Sequence, residues 1–402
     1  MLVTEFRNAS DRNASGHGQS LRLQQFSNLA LDSAWASGLA QKPSLDPGEL
    51  IRKAMRSEPA GLRDGAWRAH FNMLAEELED GAKLNALGRT IAHAQLVRIL
   101  RQRVAASRLW HRFPQILIDQ VKAPVIILGQ MRSGTTRLHR LLATDPLFCY
   151  TRTHETLSPL AQTPLRSITS AIAIQNFLNI CNPQLRRIHP TSALAPEEEF
   201  GLHAFSFHGA MFEAQWNVTR FARFGEAREL RPVYQEFRQL VQTLRWKRNE
   251  RTAKIQLLKA PQFMQDLDAV LEAFPGARIL WVRRNMRDVV ASSASLVWNQ
   301  QRLQSDAIDR LSVGREWLRK TNVREARAIA ALNRHSTPVL EIDYDDMNDD
   351  WRAETRRIYN FLRHKLTKST TRRMEKIMRG TDHQGHNYSA ADFGLVQANP
   401  AL

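Results

Sequence analysis

Hydrophobic positions along this chain change their period once. From about Gln25 to Phe113 they recur at helical spacing, as in Leu50-Ile51-Arg52-Lys53-Ala54-Met55 and Phe71-Asn72-Met73-Leu74-Ala75-Glu76-Glu77-Leu78. Leu96 to Leu100 and Val104 to Trp110 continue that pattern, with breaks at Pro43, Pro47 and Pro59-Ala60-Gly61. Three or four apolar residues per two turns make one buried helical stripe, so this stretch predicts a helical cap. After Pro114 and Pro124 the pattern becomes short apolar runs separated by amphipathic segments. Strands are predicted at 125–128, 254–258, 278–282 and 338–342. Helices are predicted at 136–144, 264–273, 287–297, 306–333 and from about 351, with a variable helical region over 156–250. Continuous apolar strands alternating with helices specify an α/β fold with a parallel sheet covered on both faces. The predicted organisation is a flexible arm at 1–24, the cap at 25–113 and one α/β domain at 114–402.

Composition narrows the class without naming a function. The chain has 402 residues, 43% hydrophobic and 24% charged, a globular balance with room for a full α/β core. It holds no apolar run long enough for a membrane span, and residues 1–30 lack the apolar centre of a secretory signal. Its two cysteines, Cys149 and Cys181, do not make a disulfide framework. They read as reduced thiols in a cytoplasmic protein. The formal net charge of +17 is spread along the chain, and no nucleic-acid-binding module accompanies it. Part of it is expected to draw an anionic ligand into a cleft. No His, Cys and Asp set has metal-ligand spacing, so no metal is expected.

The candidate chemistry begins at Gly129-Gln130-Met131-Arg132-Ser133-Gly134-Thr135-Thr136. It lies between an apolar run, Pro124 to Leu128, and the amphipathic Leu138-His139-Arg140-Leu141-Leu142. Strand, glycine loop and helix in that order aim backbone N–H groups and a helix N-terminus at an anion. The spacing follows the nucleotide P-loop, G-x-x-x-x-G-K-[ST], but Thr135 stands where that motif has lysine. The cation has moved inside the loop, to Arg132. A nucleoside triphosphate would lose its main organic cation here, and a shorter anion with one transferable group fits better. A second basic site follows the run Ala277 to Val282: Arg283-Arg284-Asn285-Met286-Arg287-Asp288-Val289-Val290-Ala291-Ser292. Both motifs fall at the carboxyl ends of predicted strands, where α/β sheets bind ligands.

Arg132-Ser133-Gly134-Thr135-Thr136 resembles the [KR]-S-G-T-T loop of sulfotransferases that use 3′-phosphoadenosine 5′-phosphosulfate (PAPS), in the arginine form of the tyrosylprotein enzymes and a broad bacterial family. Arg284 through Ser292 resembles the family's R-[ND]-P-x-D-x-x-x-S motif, with Met286 in place of Pro. The resemblance covers roughly Pro124 to Leu395. It implies a P-loop-type sheet that takes PAPS as co-substrate without metal. Arg132, Ser133, Gly134, Thr135, Thr136 and Arg137 would hold the 5′ end of the donor, while Arg284 and Ser292 hold its 3′-phosphate. Arg283 remains an alternative phosphate ligand if the strand slips by one residue, and Ser293 and Ser295 are expected to cap or pack. Leu257-Leu258-Lys259-Ala260-Pro261 resembles the family's L-L-K-[AS]-P strand end, which places Lys259 near the transferred group. Arg379-Gly380, His386 to Ser389 and Asp392 to Leu395 resemble the bacterial family's tail and extend the donor-binding set to Arg379 and Gly380.

The general base is the open position. Many cytosolic members carry a catalytic His two residues after that lysine, and here the position is Pro261. A carboxylate about twenty residues after the loop arginine serves in the tyrosylprotein enzymes, which implies Glu155. His154 and the run Glu197-Glu198-Glu199 are the alternatives, and His203 and His208 read as structural. The catalytic set is therefore Glu155, Arg132 and Lys259. The reaction expected is sulfuryl transfer from PAPS to a hydroxyl or amine of a small-molecule, saccharide or lipid acceptor, with homo-oligomerisation left open. The competing functions are a P-loop kinase or NTPase, and a nucleotide-binding homologue without catalysis, which Pro261 keeps in play.

Overall fold

The computed structural model describes residues 22–56, 62–184, 190–250, 254–379 and 389–395. Most of the arm expected at 1–24 lies outside these residues, and 22–36 form a helix, α1. Cap helices α2 (Pro47–Met55), α3 (Trp67–Asp80) and α4 (Ala86–Arg112) follow. The sheet has five strands: β1 (Val125–Leu128), β2 (Phe148–Cys149), β3 (Ile255–Lys259), β4 (Arg278–Arg283) and β5 (Val339–Asp343). They run in the order β2-β3-β1-β4-β5, and every pairing is parallel. The P-loop-type sheet flanked by helices is thus as the sequence predicts. The sequence pattern missed β2, because two residues are too few to show a period.

Between β1 and β3 the chain forms α5 (Thr135–Leu142), α6 (Thr153–Leu157), α7 (Pro164–Cys181), α8 (Phe200–Ala204), α9 (Ala210–Gln215), α10 (Thr219–Glu226) and α11 (Arg231–Lys247). After β3 come α12 (Leu267–Ala273), α13 (Met286–Gln301), α14 (Arg310–Arg334), α15 (Tyr344–Asp349), α16 (Trp351–Leu362) and α17 (Lys368–Arg379). Helix α12 starts three residues later than expected because Pro261–Met264 take a 3₁₀ turn first. Helix α13 begins at Met286 with Asn285 as its cap, the side chain accepting from the Arg287 N–H. The missing Pro therefore costs the helix no defined start.

Strand residues alternate between two cores. Ile126, Leu128, Leu258, Ile279 and Trp281 face Tyr234, Phe237 and Val241 of α11. Val125, Ile127, Leu257, Leu280 and Val282 face Leu138 and Leu141 of α5 and Ile358 and Tyr359 of α16. Burial on both faces fixes the register, since a one-residue slip would exchange every side chain. The register sets Ile127 beside Lys259, Leu128 beside Trp281 and Arg283 beside Asp343, so the loops after β1, β3, β4 and β5 share one edge.

The helical cap has its own core. Leu50, Trp67, Phe71, Leu74, Leu96 and Leu100 pack with Phe207, Phe212, Trp216 and Phe221 from the region after β2. Polar contacts tie it to the α/β domain. The Arg103 guanidinium donates to both Glu236 carboxylate oxygens (2.9 and 2.6 Å) and to the Phe205 carbonyl (2.7 Å), and lies 4.5 Å from the Trp67 ring centre. A buried guanidinium needs such paired acceptors to offset its desolvation. On the other side Asn85 N–H donates to the Gln304 carbonyl (3.0 Å). Gly88 of α4 then passes so close that a Cβ there would lie 2.1 Å from that carbonyl oxygen. Gly88→Ala should force α4 away from residues 302–305 and cost about 1–3 kcal/mol, read as a lower Tm. An unchanged Tm would show that the cap packs there with slack.

Candidate functional site

The loop after β1 is built on backbone that most side chains avoid. Arg132 has φ 70° and Gly134 has φ 93°. Only glycine adopts such geometry without cost, and for other residues it costs about 1–3 kcal/mol unless the surroundings impose it. Here three contacts impose it. The Arg132 carbonyl accepts from Arg284 Nη1 (2.9 Å), the Met131 carbonyl accepts from Ser293 Oγ (3.1 Å), and Arg132 Nε donates to Ser292 Oγ (3.0 Å). Inside the loop, Ser133 Oγ donates back to the Gln130 carbonyl (2.7 Å). The two motifs therefore meet: Arg132, Ser292 and Arg284 form one basic cluster. Ser293 pins the loop as well as packing.

Gly134 is the N-cap of α5, and no side chain caps that helix. Its first N–H groups are left for another partner, the arrangement an oxyanion or phosphate fills. Glycine is required there twice over, since a Cβ would also lie 2.6 Å from Tyr344 Cδ2. The Tyr344 ring sits 4.2 Å from the Arg284 guanidinium and holds it over the loop. Sequence reasoning passed over Tyr344; its place just after β5, at the ligand edge of the sheet, was the signal. Arg283, the alternative phosphate ligand, has other partners than the loop. It pairs with Glu325 (3.2 Å) and lies against Trp281 (4.3 Å). Beyond Arg284 an open cleft of about 420 Å³ is lined by Arg283, Glu341, Asp343, Asp346 and Arg357.

Lys259 joins this loop to an acidic turn. It is only 1% exposed. Its Nζ donates to Thr136 Oγ1 (2.8 Å) and is ion-paired with Glu198. Its backbone N–H donates to Glu199 Oε2 (2.8 Å). Glu199 is fully buried, and burial pushes its carboxyl up to about 8 against the opposing pull of the Lys259 N–H. His139 of α5 is also fully buried nearby. Burial, aided by the Lys259 charge, lowers it to about 3 and keeps it neutral. Glu197 sits on the outer side of the turn and accepts from Thr191 Oγ1 (2.9 Å).

The remaining expected site residues go elsewhere. Glu155 is held by Arg248, whose Nε donates to Oε1 (2.6 Å) and whose Nη2 pairs with Oε2. Glu155 also accepts from the Arg152 N–H (2.8 Å), closing a capping box on α6. Arg248 in turn reaches the Tyr150 carbonyl (2.9 Å), so this carboxylate fastens α6 to the end of α11. His154 bonds Ser167 Oγ (2.8 Å), and His203 stacks on Phe237 with ring centres 4.5 Å apart. His208 pairs with Asp266 (2.9 Å). Arg137 turns to Asn348 of α15, and Arg379 is exposed at the end of α17. Gly380 and His386 lie outside the described residues, as does the rest of the tail motif up to Tyr388. Asp392 of that tail pairs with Arg310 (3.0 Å) on α14.

Known proteins share this fold. The fold aligns with sulfotransferase STF1 from Mycobacterium tuberculosis at a TM-score of 0.74 and 22% identity, covering 88% of this chain and 96% of that one. It aligns with sulfotransferase STF9 from Mycobacterium avium at 0.75 and 20% identity, covering 88% and 93%. No curated protein sequence matches the chain. The profile of the sulfotransferase family matches residues 124–368, from the strand before the glycine loop into α17. By that match over more than half its length, the chain belongs to the sulfotransferase family.

Proposed function

We propose that this protein transfers a sulfuryl group from PAPS to a hydroxyl or amine acceptor, with Glu198 as the general base. The observation that carries the reading is Lys259, which touches both the glycine loop through Thr136 and the acidic turn through Glu198. A cation at that junction faces a donor anion on one side and a proton acceptor on the other. The residues present suit such a donor: an uncapped helix N-terminus with Arg132 and Lys259 for one anionic group, and Arg284 with Ser292 for a second. When bound, the donor supplies the sulfuryl group and an anionic phosphate leaving group. Arg132, Lys259 and the N–H groups of α5 stabilise the charge that gathers on the leaving side. Glu198 takes the acceptor proton as the new bond to sulfur forms and the bond to the leaving phosphate breaks.

Glu155 is the weaker candidate for that role because of its partners. The Arg248 fork occupies both of its oxygens, and the other contacts of Arg248 are Tyr150 and Glu250, not the loop. Glu198 instead shares its cation with the loop. An anion at α5 gives Lys259 a second anionic partner, and the Glu198 carboxylate is then released toward the acceptor. Pro261 has no titratable group to compete for the proton.

Three measurements test this reading. Calorimetry should find adenosine 3′,5′-bisphosphate bound equally with and without EDTA. Arg284→Ala should weaken it about tenfold or more, the worth of a charged hydrogen bond of roughly 1.5–3 kcal/mol, while adenosine 5′-phosphosulfate, lacking the 3′ group, loses little. Strictly Mg²⁺-dependent ATP binding with no affinity for the bisphosphate would overturn the donor assignment. In an assay with labelled PAPS and pooled hydroxyl and amine acceptors, Glu198→Gln should lower kcat by roughly 10²–10⁴. Glu155→Gln should lower Tm while keeping kcat within a few-fold; the opposite pattern returns the base to Glu155.

The third measurement concerns Glu199. Its folded-state value of about 8 exceeds the ordinary carboxyl value of 4.5, so between those limits the folded protein holds a proton that the unfolded chain has released. The stabilisation is complete below pH 4.5 and is lost as pH rises toward about 8. Glu199→Gln keeps an acceptor for the Lys259 N–H and should flatten this slope in urea midpoints taken from pH 5 to 8. An identical slope in both proteins would show that Glu199 is ionised in the fold.

A further inference from the structure

The buried stripe of α14 carries two cations. Trp317, Lys320, Thr321, Arg324 and Ala328 recur at helical spacing and face inward. Lys320 and Arg324 are each only 1% exposed. Long charged side chains are almost never enclosed unless they are paired. Lys320 obeys this rule: its ammonium is ion-paired with Glu213 of α9 and with Glu226 of α10 (3.2 Å). Arg324 does not. Its Nε and Nη2 have no hydrogen-bond partner. The Trp317 ring centre lies 5.3 Å from the guanidinium carbon, a cation–π contact that leaves those N–H groups unmet. Burial works against this charge more than the carboxylates of Glu213, Asp266, Glu226 and Glu198 support it.

Those four carboxylates have cations of their own. Glu198 is paired with Lys259, Glu213 with Lys320, Glu226 with Arg319 (2.8 Å) and Asp266 with His208 (2.9 Å). Arg324 is the cation left over, and an arginine does not shed its proton to escape burial. An uncompensated charge inside a protein is costly, so its retention points to a ligand that completes it. Its place on α14 fits a ligand of the candidate site. Thr321, three residues before Arg324, accepts at its carbonyl from Gln130 of the glycine loop (3.0 Å). Glu325, the next residue, pairs with Arg283 (3.2 Å). A planar guanidinium with two open N–H positions matches the two oxygens of a carboxylate. One negative charge balances the surplus, whereas a phosphate dianion would add a second beside four carboxylates.

We propose that Arg324 binds a carboxylate of the acceptor, so that the substrates are hydroxyl or amine compounds carrying an acid group. The identity of the ligand as an acceptor rests on the sulfuryl-transfer reading; the anion site itself does not. Matched pairs test it: glucuronate with glucose, para-hydroxybenzoate with para-hydroxybenzamide, and a hydroxy fatty acid with its methyl ester. Each compound is added to the full chain saturated with adenosine 3′,5′-bisphosphate and read as a shift in Tm, and is separately offered as an acceptor with labelled PAPS. In at least one pair the acid should bind and react better, by about tenfold or more in kcat/KM. Arg324→Met should abolish that preference and, by removing an uncompensated charge, raise the Tm of the ligand-free protein. Lys320→Met, which strips Glu213 and Glu226 of a partner, should lower it. Arg324→Lys keeps the charge without the fork and should retain only part of the preference. No acid preference in either readout overturns the proposal and assigns the open N–H groups to buried water. An Arg324→Met protein that loses Tm or fails to fold overturns it too, since partners inside the protein would then hold the guanidinium. So does an equal loss of kcat for acids and neutral compounds, which would mean that Arg324 acts on Glu198. If acids bind in preference by way of Arg324 but no acceptor is sulfated, the anion site stands and the sulfuryl-transfer reading fails.

Discussion

A buried ammonium is tolerated only where its partners are fixed in place, and Lys259 sets that constraint on the centre of this fold. It stands at the end of a strand buried on both faces, beside Ile127 of the central strand. Thr136 and Glu198 must both reach it. Removing one partner of a buried pair usually costs about 3–5 kcal/mol, so the first turn of α5 and the acidic turn before α8 are held to one geometry. Glu199 tightens this by accepting the Lys259 N–H on its carboxyl group. Two chain segments distant in sequence are thereby fixed to one residue on the strand.

The strained loop follows from the same economy. Arg132 and Gly134 keep positive φ because Arg284, Ser292, Ser293 and Tyr344 close around them. Each of these contacts comes from the segment after β4 or β5, so the sheet register that aligns Leu128 with Trp281 and Arg283 with Asp343 also decides where the loop's cations sit. A register shift would reverse Arg283 and Arg284. The pairing of Arg283 with Glu325 shows that the exchange is opposed by charge as well as by packing.

Legibility in the sequence tracks whether a signal is local. The strands at 125–128, 278–283 and 339–343 were readable because a fully buried parallel strand is a continuous apolar run, and the glycine loop because its spacing encodes its own backbone. Both helices at the motifs were readable from their place after a strand and a loop. Partner choice was not. That Glu155 belongs to Arg248 depends on α11 ending beside α6, and that Glu198, not Glu197, meets Lys259 depends on the path of the acidic turn. Neither carries a periodicity. Tyr344 was missed for a related reason: within Asp343-Tyr344-Asp345-Asp346 the acids draw attention, while the aromatic ring is the group that reaches the loop.

The segment after Lys259 explains why the proton acceptor should lie on the acidic turn. Pro261 opens a 3₁₀ turn, and Gln262, the next residue, is drawn into the core. Its amide donates to Asp266 Oδ2 (2.7 Å), and its carbonyl accepts from the Ala210 N–H (2.9 Å). His208 and Tyr234 reach the same carboxylate oxygen, each at 2.9 Å. Burial works to raise the Asp266 carboxyl, but the His208 charge and these three donors outweigh it and hold the group below its usual range. A buried carboxylate that takes three donors on one oxygen is a structural anchor, and it commits the turn after β3 to rigidity. A side chain there cannot swing toward an acceptor without leaving Asp266 buried and underpaired. On the proposed function, the β3 side of Lys259 is a fixed floor, and the proton acceptor lies on the other side of that lysine, on the turn that carries Glu198.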